Sequence, residues 1–591
     1  MKKYLFLLLL LILFPNLAFG TVNNGLADTY VEVGTGCTNS RYIDNDCDGY
    51  GPGNAFTTGA DADDDDKDVN TTASVVTKYG NVQTFVTTRM GPNKTGYTCT
   101  RYLVFNKSRA GCPGAGGTAQ TTLAAAELTP YCDVDNASGI VDGDCLVFRG
   151  IPTNNSSFTR MFNATYNLNG SELAPVIFMS YPGERAVFEL AEGLDLSGWV
   201  TFDGIFFKRD TAIYSVGVRN GSDGMKYLNN EYSGIPVGGR AGWIIYTFGN
   251  NGDGLKHWLF QGNVVQGGPL DTHIIYMGNR VYGADIDTAV VAPSEDIIFR
   301  GNVFYDNPAG IGVVSWNGYV SAGDGGTGIL YEKNIFGETD SFSINCIMGC
   351  NDLTVRNNVF LSMQGIRTGW YGEGDAIEPM NWIKRLDMSN INIYNNTVVS
   401  CDKDGSGSFN DNAKGLVQLY DQYPAGRTVS FSNYNIFNNI VSLLGNPSGG
   451  YHIYLRDMSK FWDCSGNTPK IYNNLFYRTT GTGTNYFNST LYSMDAYGGW
   501  SVGGVRQCPS LWYSNVFSDP LFTSVSNAYY NQTYNQNVLT STSSPAKGMG
   551  ASGYPTTDIK GVTRTSGDAG VYFLGTPSLF KGITIKGGTL K

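Results

Sequence analysis

An apolar-x-x-Asn-apolar-apolar pattern recurs along this chain, and it constrains the fold more than any other feature. The asparagines are Asn230, Asn263, Asn302, Asn334, Asn358, Asn396, Asn439, Asn474 and Asn515, in stretches such as FQGNVV, FRGNVF, VRNNVF and IYNNLF. The intervals run from 24 to 43 residues and average about 36. A fixed unit separated by connections of variable length is the signature of a stacked repeat. The residues before each Asn alternate apolar and polar, as in Ile391-Asn392-Ile393, which reads as a strand with one face inward. The Val, Ile and Phe that follow resume a strand beyond a sharp bend. Asn is expected to take the left-handed backbone conformation that such a bend requires. Stacked coils would bring these asparagines into a ladder about 4.8 Å apart.

The fold class implied is all-β, a right-handed parallel β-helix. The 76 glycines and a charged fraction of 15% suit a chain that turns often and buries long stripes. A β-propeller has a similar average period but needs four strands per repeat and steadier spacing. The expected organisation is a signal peptide over 1–20, an Asp- and Cys-rich region over 21–140, the β-helix over 141–535 and a C-terminal closing segment over 536–591.

Met1-Lys2-Lys3, the apolar run Leu5 to Phe14 and the small-x-small site Ala18-Phe19-Gly20 form an export signal. The expected location is secreted or extracellular, with the cell surface or periplasm as variants, and without membrane insertion after the signal is removed. A formal net charge of −11 and a pI of about 4.9 argue against nucleic acid as a partner. Eleven cysteines in an exported chain imply disulfides with one thiol over. The sequence groups are Cys37 and Cys47; Cys99, Cys112, Cys132 and Cys145; Cys346 and Cys350; and Cys464 and Cys508, with Cys401 alone.

Several segments resemble pectate-lyase-like right-handed β-helix proteins. Gly143–Gly150 is similar to that family's first coil, and Ala174–Phe178 through Tyr181–Arg185 to the segment that follows. Thr201–Gly204 resembles the next coil, while Asp519–Phe522, Ser544–Ala546, Asp558–Gly561 and Asp568–Tyr572 resemble the usual C-terminal close. The resemblance spans about residues 141 to 573 and implies the fold. It leaves function open, since that fold hosts lyases, hydrolases, epimerases and non-enzymatic surface proteins.

Asp44, Asp46 and Asp48 precede Gly49 with the alternate spacing by which calcium loops converge carboxylates on one hard cation. Asp61, Asp63 and Asp66 belong to a second run, with Asp64, Asp65 and Asp68, whose mutual repulsion a cation would relieve. Ala55 stands where a helix-loop-helix site would carry its Glu, so the pattern looks more like the Asp-rich calcium repeats of thrombospondin-like extracellular proteins. The expected cofactor is a structural Ca²⁺ held by Asp44, Asp46, Asp48, Asp61, Asp63 and Asp66.

No paired-carboxylate or lyase arginine motif stands out, so the catalytic residues are unassigned. Asp271 with His273 is one polar group, His273 reading as a strand residue rather than a base. Arg367, Glu373, Asp375, Glu378, Lys384 and Arg385 form another, read as a polar loop. Trp316, Trp370, Trp382, Trp462 and Trp500 are expected in or near loops, where aromatic faces can stack on sugars. Two function classes follow: a calcium-stabilised protein that engages extracellular polysaccharide or cell-surface glycan, with cleavage open, or a non-catalytic surface or matrix protein.

Overall fold

In a computed structural model, the described residues are 37–39, 42–44, 99–107, 110, 112, 116–134, 137, 139–149, 170–181, 186–189, 198–208, 214–219, 223–233, 243–249, 255–266, 273–279, 295–305, 312–318, 327–337, 342–347, 351–361, 364–370, 386–400, 415–421, 429–443, 452–456, 469–478, 484–487, 490–494, 500–502, 505–508, 510–522, 543–550, 552–559, 563–564 and 567–570. Three long parallel sheets dominate. Sheet A has 13 strands, sheet B 11 and sheet C 8, and in each the hydrogen-bonded neighbour of a strand is its counterpart in the next coil. One coil runs Lys256–Gln261 in sheet A, Val264–Gln266 in sheet B and His273–Asn279 in sheet C. The next opens at Glu295–Arg300 in sheet A again. The chain is a right-handed parallel β-helix.

Sheet A begins with Arg101–Phe105, ahead of the expected start of the helix at residue 141, and ends with Trp512–Tyr513. The first strand pairs in parallel with Asp144–Phe148, and Cys99–Cys145 staples the two. Cys112–Cys132 is nested inside that bridge, and Cys346 and Cys508 are also disulfide-bonded. Tyr131, Val134 and Ala137 join the core cluster at its N-terminal end, with the Tyr131 ring stacked on Phe105 at 5.5 Å. A short α-helix, Leu123–Leu128, is N-capped by Thr122, and its Ala126 packs with Val104, Cys145, Val147 and Ile177 on the outer side of sheet A.

Inside the stack, equivalent positions carry equivalent side chains. Tyr227, Phe260, Phe299 and Tyr331 stack with centroids 4.6–4.7 Å apart and planes within 4° of parallel. Phe304, Phe336 and Phe360 form a matching row in sheet B at 5.0–5.1 Å. Each buried aromatic contributes about 1.5–3 kcal/mol by leaving water, and the repeat makes every coil a template for the next.

All nine repeat asparagines lie at the two-residue bend between sheets A and B, and all are buried. Each Oδ1 accepts from the preceding coil. Asn396 Oδ1, for example, accepts from Asn358 N at 3.0 Å and from Asn358 Nδ2 at 3.0 Å. Asn396 Nδ2 donates to Val355 O, Tyr394 O and Asn439 Oδ1. The left-handed residue is not the ladder Asn but the one before it: Asn229, Gly262, Gly301, Lys333, Asn357, Asn395, Asn438, Asn473 and Ser514 all have φ between 53° and 68°. The expectation is corrected by one position. The left-handed residue makes the turn, and the Asn after it aims its amide into the ladder.

That second column is bound from outside by the C-terminal segment. Thr557 accepts from Lys333 Nζ and, through its carbonyl, from Asn357 Nδ2. Arg564 donates to Asn357 Oδ1, Asn395 Nδ2 donates to Asp568 O and Gly570 O, and Asn473 Nδ2 donates to Met549 O. Ala546 and Ala569 pack on Ile440 and Leu475 beneath. The closing segment is thus a lengthwise strap over the bend corner.

Asn396→Ala removes five hydrogen bonds inside the apolar stack and takes from the buried Asn358 backbone N–H its side-chain acceptor. The expected loss is about 2–4 kcal/mol, read as a lower midpoint in denaturant titration with unchanged m-value.

Candidate functional site

The A-to-B bend is held at two residues by the ladder, so length variation goes to the other two corners. Both border sheet C. Residues 280–294 and 371–385 connect sheet C to sheet A, and 401–414 connect sheet B to sheet C. Connections of this kind carry binding and catalytic groups while the scaffold beneath stays fixed.

Across sheet C one register row reads Tyr246, Tyr276, Ser315, Asn345, Arg367, Gln418 and Tyr454. On one side lies a row whose described members Ile344, Val417 and Ile453 are buried, and on the other lies the row of buried Cys346. Successive strand positions alternate faces, so the row between them takes the face opposite to Ile344 and Cys346, while Ser343 and Leu416, two positions before it, are buried at the start of their strands. The next row of that face reads Phe248, Gly278, Asn317, Ile347, Gly369, Tyr420 and Arg456. Its glycines at 278 and 369 carry no side chain, which lets a ligand approach the backbone beside Tyr276 and Arg367. Beyond the last sheet C strand, Ile453–Arg456, the chain forms an antiparallel meander from Thr484–Phe487 to Val505–Gln507.

The outer face of sheet A carries a second ordered column, two residues before each ladder Asn. Arg300, Glu332 and Arg356 form an ion-pair cluster, with Glu332 accepting from Arg300 Nε at 2.5 Å and from Arg356 Nε and Nη2 at 2.9 and 2.7 Å. Arg356 Nη1 donates to the Tyr394 hydroxyl at 3.2 Å. Tyr394, Phe437, Tyr472 and Tyr513 continue the column as rings stacked 4.8–5.2 Å apart. Burial pushes the Glu332 carboxyl up, but Arg356 and Arg300 together outweigh it and hold it below the ordinary carboxylate range.

At the C-to-A corner a further left-handed column holds Trp199, Gly224, His257, Asp296, Gly328, Asp352, Asn390 and Asn433. The Trp199 indole lies over Gly224, where a Cβ would stand 2.0 Å from its ring, and stacks on His257 at 6.2 Å. His257 Nδ1 is 3.3 Å from Asp296, and Asp352 accepts from Thr327 and Asn390.

The structure redistributes the sequence candidates. His273 is the first residue of a sheet C strand, as expected, in register with Gly312. Arg367 was expected in a loop and instead lies in the strand Gln364–Trp370, because its coil passes from sheet B to sheet C with only Ser362 and Met363 between. Trp316, Trp370 and Trp500, expected in or near loops, lie in strands, Trp370 as the last residue of one and Trp500 as the first of another. Asp44 ends the strand Tyr42–Asp44, paired antiparallel with Cys37–Asn39. Asp46, Asp48, Asp61, Asp63 and Asp66 lie outside the described residues, as do Asp271, Glu373, Asp375, Glu378, Lys384, Arg385, Trp382 and Trp462. Among the described residues no group of three His, Cys, Asp or Glu could hold a metal ion, and no helix is long and apolar enough to cross a membrane.

No protein-family model matches the chain, and no curated protein does. Among solved structures it is similar to a PL6 family polysaccharide lyase from Pseudopedobacter saltans, with 13% identity over 64% of this chain and 88% of that one and a TM-score of 0.30. It is also similar to a pectate lyase (12%, 81% and 98%, TM-score 0.32). A PL6 family alginate lyase gives 14% identity, 71% of this chain and 57% of that one, with a TM-score of 0.28. At these values the fold rests on the strand pairing of the chain itself.

The Glu332 shift has a direction that experiment can read. Its carboxyl is lowered in the folded chain, so its contribution is present above the unfolded value of about 4.3 and lost as pH falls through the lower folded value. Glu332→Gln is expected to cost about 1–2 kcal/mol at pH 7 and to flatten the fall in stability from about pH 5 downward, measured by thermal unfolding across pH.

Proposed function

We propose that this is an exported protein that binds an extended acidic polysaccharide along the outer face of sheet C. The observation that carries the reading is the row from Tyr246 to Tyr454, in which seven successive coils present tyrosine, hydroxyl, amide or guanidinium chemistry at one register position. At about 4.8 Å per coil the row extends about 29 Å, long enough for several sugar residues of a linear polymer. A repeating surface suits a repeating ligand: tyrosines stack on sugar rings, Asn345 and Gln418 meet hydroxyls, and Arg367 meets a uronate carboxylate. Cleavage is a separate question, decided by which groups the sheet C connections bring to Arg367. Disulfides within the first coils suit an oxidising compartment and support export.

The experiment is a binding and cleavage panel. Mature protein with calcium is incubated with polygalacturonate, alginate and a neutral galactan, following unsaturated product by absorbance, reducing ends, and binding by affinity electrophoresis. Binding to at least one polyuronate and not to the galactan is expected. Arg367→Ala should weaken it about tenfold or more with an unchanged melting temperature. Equal retention of the galactan, or no retention of any polyuronate, overturns the reading.

The Asp-rich segment supports a structural calcium ion in the same proposal. Asp44, Asp46, Asp48, Asp61, Asp63 and Asp66 are its ligands in this reading, the first of them ending the small antiparallel pair. Chelation should lower the melting temperature and calcium should restore it. A transition unmoved by chelator removes the ion.

A further inference from the structure

We infer that Arg300, on the outer face of sheet A, anchors a second subsite that takes the carboxylate of an acidic sugar. Arg356 spends Nε and Nη2 on Glu332 and Nη1 on Tyr394. Arg300 gives Glu332 only its Nε. Its two terminal nitrogens have no hydrogen-bond partner among the described residues, and 36% of its side chain is open to solvent. The Nε contact fixes the guanidinium plane, so the outward fork is already set for a planar, bidentate oxyanion and loses little freedom on binding one. Glu332 carries one negative charge between two positive ones, leaving the cluster net positive in a chain of net charge −11.

The surroundings fit a sugar better than a free ion. Gln261, itself buried, stands in register with Arg300 one coil earlier and continues the polar column beside the fork. Leu259, Ile298 and Leu330 form a partly exposed apolar row across the same three coils. A pyranose presents just these two sides, a C–H face and a rim of polar groups. This subsite lies on a different sheet from the sheet C row and shares with it only the class of ligand, so either can fail without the other.

Isothermal titration of the full chain with digalacturonate, and with a neutral disaccharide of the same linkage, tests it. The expected result is about two equivalents of digalacturonate bound. Arg300→Gln should remove one, while Arg367→Ala should remove the other. Arg300→Lys keeps the charge without the fork and should weaken the sheet A site about tenfold. It also carries the test should Arg300→Gln fail to fold. Loss on Arg300→Gln alone, with Arg367→Ala unchanged, keeps this subsite and rejects the sheet C reading. Unaltered stoichiometry and affinity in Arg300→Gln at a native melting temperature overturns the subsite. So does equal binding of the neutral disaccharide at the Arg300-dependent site.

Discussion

A side-chain amide buried among hydrocarbon has to find partners for its donors and its acceptor, or the fold bears the cost of each missing bond. In this solenoid each ladder Asn finds them on the coils above and below, so no coil's bend is complete without its neighbours. That requirement fixes the spacing of coils, the register of sheets A and B, and the two-residue length of the bend between them. The stacked Phe and Tyr rows beneath then fall into alignment, since equivalent positions must face each other at the sheet spacing. Variation in length is left to the two corners that border sheet C.

The ladder was readable because an Asn flanked by core residues leaves a fixed signature at every turn. The backbone role assigned to it was displaced by one residue: Gly262, Lys333 and Ser514 share the left-handed position without sharing a side chain. The C-to-A corner was hidden for the same reason, with Trp199, His257, Asp296 and Asn390 occupying one backbone conformation. Arg367 was misplaced because a polar, Gly-containing stretch reads as loop, whereas neighbouring strands recruit it into sheet C. The Arg300, Glu332 and Arg356 cluster was missed although its signal was present. Aligning the repeats on Asn and reading two positions back gives Gln261, Arg300, Glu332, Arg356 and then four aromatics.

Sheets A and C use their outer faces differently. On sheet A, charges neutralise one another and rings cover each other's faces, so most of the column is satisfied internally, and the terminal nitrogens of Arg300 have no partner among the described residues. On sheet C the register row mixes rings, amides, a guanidinium and a hydroxyl over seven coils. Both surfaces arise from the same rule that equivalent positions recur at each turn, and they differ in which residues fill those positions.

The strap over the bend corner changes how such a stack comes apart. A plain solenoid is held by nearest-neighbour interfaces, and its end coils can fray one at a time. Here residues 549–570 bond to bends at Lys333, Asn357, Asn395 and Asn473. Opening the coil of Asn473 pulls on the same segment that holds the coil of Lys333, so coils that never touch share one cooperative unit. A segment far along the sequence from most of the bends it holds thereby turns a stack of separable rungs into a single block.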